Sequence, residues 1–442
     1  MDNLIITLRT CSVIPKMIKT RARRILFRTK RFDIVGYKLW ISMLLVVVGI
    51  QCLQIYWMDL RVNNHIENKS DNLVKVTLKV PEPIKIPEQV HIKHDFEKLK
   101  KSVSRKCRMM TSPWVDHLIQ PDLVSNMDDW NFVHKRECPH LSLNDLPVKR
   151  SKFSLLCYYR NALIDVSETY NSSEIFELDF RDSCLTHFID KCCVDDNPVP
   201  NVVHYVWYGD KELEYFNFLS LMSVLRFVKP CVILIHGPTV PHGPYWEYFL
   251  HMSPNVIHVR RERPETVFGN KLRFKEHSSD VMRLEALLEY GGIYLDFDEI
   301  LLRPIDSLRR FQHTQGHELK RTMGSQVVMS KKNATFLNLW YKSYKDDYKK
   351  IWAYNALWVP NTLAKNHPEL IHVEGFNFTR PNWQNTKLIY DGNYNWATNY
   401  GMHMYARWYR RPINLDIIRT LNTTVGAVSR HILFGNKELC II

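Results

Sequence analysis

The sequence predicts an α/β protein whose mostly parallel sheet fills the C-terminal half, preceded by one transmembrane helix, a stem and a cysteine-rich accessory region. Three observations predict it. Strand-like and helix-like segments alternate from Asn201 onward, which argues for a parallel sheet covered on both faces. Residues 39–57 form an uncharged apolar run behind a basic flank. Six cysteines cluster between positions 107 and 193.

The formal net charge is +14, but ten basic residues against Asp2 and Asp33 place +8 of it in residues 1–38. The rest is nearly balanced, which argues against a nucleic-acid partner and for a cytosolic basic tail. The run 39–57 is long enough to cross a bilayer at about 1.5 Å per residue, and Tyr37, Trp40, Tyr56 and Trp57 fit interfacial positions. It reads as a signal-anchor, with the C-terminal part in the lumen. A cleaved signal peptide competes less well, because the basic segment is long and no small-residue cleavage site follows. Residues 58–106, Lys-rich with spaced prolines and no glycine, read as an extended stem.

Residues 107–195 read as an accessory subdomain tied by disulfides among Cys107, Cys138, Cys157, Cys184, Cys192 and Cys193, with connectivity that sequence does not give. Zinc at Cys184, Cys192 and Cys193 is the weaker reading, since C-x₂-C spacing is absent. Sequons at Asn68, Asn171, Asn333, Asn377 and Asn422 agree with an oxidising, glycosylating compartment.

Residues 196–442 form the α/β domain. Strands are expected at 202–208, 231–235 and 255–259, with helices at 212–228 and 245–252. The informative stretch is 279–299, SDVMRLEALLEYGGIYLDFDE. Ser279 or Asp280 should cap a helix with Val281, Leu284, Leu287 and Leu288 on its apolar face. Gly291 and Gly292 end it, and a strand 293–298 follows. Alternation sends Ile293, Leu295 and Phe297 to one side and Tyr294, Asp296 and Asp298 to the other, with the carboxylates roughly 6–7 Å apart. Such a pair suits Mg²⁺ or Mn²⁺ held together with substrate phosphates. Its place after a strand, where open α/β sheets bind ligands, gives the short motif weight. Glu299 should face the opposite side. Beyond it, a strand is expected at 326–329, a helix at 334–348, then an aromatic region.

The pattern SDxxRxxxLxxxGGIYxDxD resembles the glycosyltransferases with a DXD-containing sugar-binding region, the group that includes α-1,4-galactosyltransferases and yeast initiating α-1,6-mannosyltransferases. It is similar also to the glucosylating clostridial toxins. The resemblance implies a Rossmann-like GT-A catalytic domain and a Golgi-type, single-pass enzyme. Its reaction would move a hexose or N-acetylhexosamine from a nucleotide sugar, a UDP-sugar rather than a GDP-sugar, to a glycan or glycolipid hydroxyl, with retention of configuration. It implies Mn²⁺ or Mg²⁺ on Asp296 and Asp298, donor-sugar contacts by Asp280 and Arg283, and Tyr294 at the ribose. Trp207, in VVHYVWYG, matches an aromatic residue beside the base. His403 matches a late histidine in a pattern like AxHxWxxSW, and is the third candidate metal ligand. The chain departs from that pattern at Tyr405 and at Arg407-Trp408, and from the family elsewhere at Gly324-Ser325-Gln326, which lacks an asparagine, and at Tyr354-Asn355-Ala356, which replaces a Gly-Pro turn. Two alternatives stand beside this reading: a catalytically inactive, lectin-like relative, and a DxD phosphatase. The phosphatase would need its motif on an opening strand and Thr or Val where Ile300 stands.

Overall fold

The computed structural model describes residues 135–144, 156–159, 162–165 and 175–441, all within the compact unit His91–Ile442. The predicted membrane helix at 39–57 lies outside the described residues. Among the described residues no helix is long and apolar enough to cross a membrane. The predicted fold class is corrected accordingly: the fold as described is a mixed α/β domain without a membrane helix.

Eight strands make one sheet. Five of them, β1 (Phe176–Asp179), β2 (Val202–Val206), β3 (Val232–Gly237), β4 (Val256–Arg260) and β5 (Gly292–Leu295), run parallel in the order β5-β2-β3-β4-β1. After β5 the chain forms β6 (Glu299–Leu301), which lies outside the sheet, and then β7 (His313–Leu319) and β8 (Thr322–Ser330). β8 pairs antiparallel with β5, β7 antiparallel with β8, and β9 (His372–Val373) closes that edge parallel to β7. Finally β10 (Gly401–His403) pairs antiparallel with β6 in a separate ribbon. The edge strand β1 comes from the stretch expected to be the accessory region.

The strand order locates the site. From β2 the chain steps outward to β3 and β4, then returns across the sheet to β5 on the other side of β2. Ligands of open α/β sheets bind where the order reverses in this way, outside the carboxyl ends of the strands. Here that crevice lies between the ends of β2 and β5, where Trp207 and Asp296 follow. Because β2, β3 and β4 precede β5, the acidic motif is not on an opening strand, and the phosphatase alternative fails on topology.

Alternation within the strands divides the core. Val203 and Tyr205 of β2 and Ile293 and Leu295 of β5 pack with helices α1 (Tyr215–Phe227), α2 (Pro244–Met252) and α5 (Thr424–Phe434). Tyr294 points the other way, into a cluster with α3 (Lys275–Tyr290) and α4 (Thr335–Asp346). Every residue of α1 except Asn217 is buried, so this helix is apolar nearly all round and lies between the sheet and the C-terminal elements.

Three local expectations are corrected. Helix α3 begins at Lys275 after Phe274, with no side-chain cap, so Ser279 and Asp280 lie inside it rather than at its start. The first turn is held instead by tertiary contacts: Phe274 packs edge-on to His277, whose Nδ1 meets Tyr348 Oη at 2.9 Å. The strand β5 ends at Leu295 rather than Asp298, because Phe297 and Asp298 turn the chain, closed by a bond from Glu299 N–H to Asp296 O at 2.9 Å. The cysteine region is tied not to itself alone but to the α/β domain: Cys138 bonds Cys440 and Cys193 bonds Cys231. Cys184 and Cys192 are also disulfide-bonded, which leaves no thiolates there for zinc.

The double glycine has a steric cause. Gly291 and Gly292 have φ of +67° and +113°, and a Cβ on Gly292 would lie 2.5 Å from Val202 O and 2.9 Å from His204 Nε2. Gly375, at φ +63°, has nothing within 4 Å of its Cβ position. Gly292→Ala is expected to cost roughly 2–5 kcal/mol from backbone strain and overpacking together. Gly375→Ala should cost about 1 kcal/mol from strain alone. Guanidinium unfolding of the two variants measures the difference, and equal stabilities would refute the close-approach account.

Candidate active site

The acidic turn is fixed through nearly all its backbone polar groups. Asp296 N–H donates to Gln326 O at 2.9 Å, Asn217 Nδ2 donates to Phe297 O at 3.2 Å, and Met404 N–H donates to Asp298 O at 2.8 Å. Asn217 is available for this because it also closes the capping box at the start of α1. Phe297 packs against Tyr205 and, edge-on at 5.0 Å, against Trp207. The turn is thus bolted to the sheet, to α1 and to the C-terminal segment together.

The β6–β10 ribbon brings His403 opposite Glu299, with Ile300 opposite Met402 and Leu301 opposite Gly401. This pairing carries the late histidine across more than a hundred residues to the acidic turn. His403 Nε2 donates to Asp298 Oδ1 at 3.0 Å and lies 3.9 Å from Asp296 Oδ2. Ala406 N–H donates to Asp298 Oδ2 at 2.9 Å. One ligand atom from each of Asp296, Asp298 and His403 falls within 4.8 Å of the others. Two carboxylate oxygens and an imidazole nitrogen at that spacing fit a divalent cation that takes its other ligands from phosphate and water.

Asp280 and Arg283 pack on the other side of Asp296. Arg283 Nη2 lies 3.1 Å from Asp280 Oδ1 and 3.4 Å from Asp296 Oδ1, while Nη1 donates to Ser325 O at 2.6 Å. The guanidinium stacks 4.5 Å from the centre of the Tyr294 ring, and Tyr294 Oη donates to Asp296 Oδ1 at 2.7 Å. The i,i+3 ion pair of α3 is therefore also a bridge to the acidic turn. Arg283 is 4% exposed, and removing a charge buried this deeply would strand its partners. Ser325 and Gln326 serve through their carbonyls, so the departures from the family pattern there do not disturb these bonds.

The electrostatics follow from the geometry. Burial lifts the Asp280 carboxyl to about 6, with Arg283 pulling against it. Asp298 would also be raised by burial, but the His403 charge and the hydrogen bonds from His403 and Ala406 bring it down to about 2. Burial pulls the His403 imidazole down, and Asp298, Glu299 and Asp296 more than reverse this, lifting it to about 10. At neutral pH a proton on His403 therefore balances the acidic turn.

Of the residues singled out in the sequence, Asp280, Arg283, Tyr294, Asp296, Asp298 and His403 converge here. Trp207 sits beneath, 9% exposed, its Nε1 without a hydrogen-bond partner. The reading of Glu299 is revised. Its carboxylate is fully buried, neither oxygen has a hydrogen-bond partner, and it lies where a Cβ on Gly401 would be. Burial pushes this carboxyl well above the usual range, an effect His403 opposes and Asp296, Asp298 and Glu318 reinforce. Glu318 was missed, and Tyr405 was read only as a departure from the family's pattern: Tyr405 Oη donates to Glu318 Oε1 at 2.8 Å, and the Tyr405 ring lies 4.3 Å from that of His403. An acid inside the apolar run EILL was a readable signal for Glu299. Nothing local marked Glu318.

The site is thus a histidine-backed acidic turn at the switch point of an α/β sheet. Residues 240–315 match the family described as glycosyltransferase sugar-binding region containing DXD motif. Glucan organizing enzyme 1 of Cryptococcus neoformans var. grubii is 30% identical over 232 residues, covering 48% of this chain and 62% of that protein. An uncharacterized protein of Arabidopsis thaliana is 32% identical over 145 residues, covering 29% of this chain and 22% of that one. The chain thus spans less than two thirds of either relative. Among solved structures, PaToxG glycosyltransferase aligns with 18% identity over 38% of this chain and 70% of its own, at a TM-score of 0.28, too low for a common fold to be inferred. The DXD region implies a divalent metal and a nucleotide sugar.

The coupling of His403 to Asp298 is directly measurable. In Asp298→Asn the imidazole loses its nearest anion while remaining buried, so its pKa should fall by roughly one to three units. Histidine ring signals followed by NMR across pH in the wild type and the variant give the two values. An unchanged His403 titration would mean that the ion pair does not hold the proton.

Proposed function

We propose that this protein transfers a hexose or N-acetylhexosamine from a nucleotide sugar, with a UDP-sugar as donor, to a hydroxyl of a glycan or glycolipid, with retention of configuration. The observation that carries the proposal is the convergence of Asp296, Asp298 and His403 at the point where the strand order reverses. Asp296 and Asp298 would hold Mn²⁺ or Mg²⁺, with His403 as third ligand once its proton leaves. Bound there, the cation would neutralise the charge that develops on the departing diphosphate.

The chain's own residues supply the rest. Arg283, fixed by Asp280, Ser325 and the Tyr294 ring, presents a permanent positive charge beside Asp296, and with Asp280 would orient the donor sugar. Tyr294 holds Asp296 in place and would lie at the ribose, with Trp207 near the base. Because the turn's backbone is already bonded, little reorganisation is needed as charge moves, which is the condition under which electrostatic stabilisation is most effective. The disulfides Cys138–Cys440 and Cys193–Cys231 support an oxidising, secretory compartment as the place of action. The glucan in the name of the fungal relative supports a polysaccharide or glycan acceptor.

Asp296→Ala and Asp298→Ala should each lower transfer by about 10²–10³, the scale of losing one group that stabilises developing charge. Asp296 follows the end of β5 and Asp298 lies in the turn beyond it, both outside the apolar clusters, so the fold should persist. In the wild type, Mn²⁺ with UDP should raise the melting temperature by mass action, and in the double variant it should not. Transfer at the wild-type rate by the double variant in the presence of EDTA would refute the metal-assisted reading.

A further inference from the structure

Four of the tryptophans in the described residues stand out by exposure. Trp340 and Trp396 are completely buried, whereas Trp352, Trp358, Trp383 and Trp408 are between 45% and 50% exposed. Three of these four gather beside the acidic turn. Tyr405, next to His403, stacks on Trp408 with centroids 5.5 Å apart and planes within 13°. Trp383 lies 6.3 Å from Trp408. Across the Arg407 guanidinium, 5.7 Å from the Trp408 ring and 5.5 Å from that of Trp352, the series continues to Trp352, which rests edge-on against Phe274 at the start of α3. The series therefore runs from His403 outward, bridged by Arg407 between Trp408 and Trp352, to the helix that carries Asp280 and Arg283.

We propose that this aromatic platform is the acceptor subsite, where successive hexopyranose rings of a glycan chain stack and present a terminal hydroxyl to the Asp296–Asp298–His403 site. The inference rests on the glycosyl-transfer reading and adds the acceptor's class and place. Large flat rings left half in water bury their area when the apolar face of a sugar covers them, and tryptophan is favoured at binding surfaces for this combination of area and polar edge. Within the platform, Arg407 lies 3.8 Å from Glu276. Tyr405 is the hinge between the two sites. It adopts φ +49°, a left-handed conformation costly for a tyrosine, and its hydroxyl is held by the buried Glu318. A strained residue fixed at the junction of a metal site and an exposed surface is the pattern expected where geometry serves binding. The platform also lies outside the matched sugar-binding region 240–315.

Titration of the protein with laminarihexaose, maltohexaose, chitohexaose and mannohexaose, read by tryptophan fluorescence, tests this. At least one hexasaccharide should bind, and more tightly than its disaccharide. Trp383→Ala and Trp408→Ala should each weaken that binding about tenfold, as truncating an aromatic anchor commonly does. Trp358→Ala, an exposed tryptophan outside the series, should leave it unchanged. The Mn²⁺–UDP thermal shift should persist in all three variants. The inference is overturned if no hexasaccharide binds at about 10 mM, if Trp358→Ala weakens binding as much as the platform variants do, or if the platform variants lose the thermal shift. A wild type that binds a hexasaccharide but shows no Mn²⁺–UDP shift would sink the donor reading and leave the platform standing.

Discussion

The bond between His403 and Asp298 is the interaction on which the rest of the site depends. It joins the His403 imidazole to a carboxylate whose other oxygen is held by Ala406 N–H. It also ties the C-terminal segment to the sheet at the point where the two are paired as strands. Without that ribbon, Asp296 and Asp298 would be two like charges on a turn with Arg283 alone to balance them. With it, the turn, the helix carrying Asp280 and Arg283, and the segment leading to Tyr405 and Trp408 form one rigid constellation. Such a site is costly to assemble, because several charges lose water, and the cost is tolerable only because each has a partner.

The same arrangement explains why the site suits a cation. In the metal-free protein a proton on His403 takes the place of positive charge, and burial pushes the unpartnered Glu299 carboxyl behind it well above the usual range. The region has more acidic oxygens than fixed cations, and it faces the crevice where the strand order reverses. A divalent ion shared with a diphosphate would bring the charges closer to balance from both directions. This is an argument about binding. The rate argument adds only that the groups do not have to move.

Much of this was legible in the sequence, and the parts that were not share a physical cause. The alternation of strands and helices, the break at Gly291 and Gly292, and the placing of Tyr294 and Asp296 on one side are all local, set by a period of two or of 3.6 and by glycine's access to positive φ. The misreadings came where local periodicity stopped applying. Extending strand alternation to Asp298 put Glu299 on the wrong side, because the chain had already turned at Phe297. Placing the start of α3 at Ser279 followed capping preference, whereas packing by Phe274 and His277 began the helix a turn earlier. Cys193 with Cys231, Cys138 with Cys440, and Tyr405 with Glu318 are long-range pairings that leave no periodic trace. His403 was singled out only through resemblance to a family; its distance from Asp298 is a tertiary fact.

The central claim is that Asp296, Asp298 and His403 together hold a divalent cation that meets the donor's diphosphate. Anomalous diffraction from crystals grown with Mn²⁺ and UDP tests it most directly. The account predicts one strong anomalous peak within bonding distance of Asp296, Asp298 and His403 Nε2, with the diphosphate completing its ligands. A well-ordered UDP bound with no anomalous peak between those side chains, or a peak held by other residues, would contradict it.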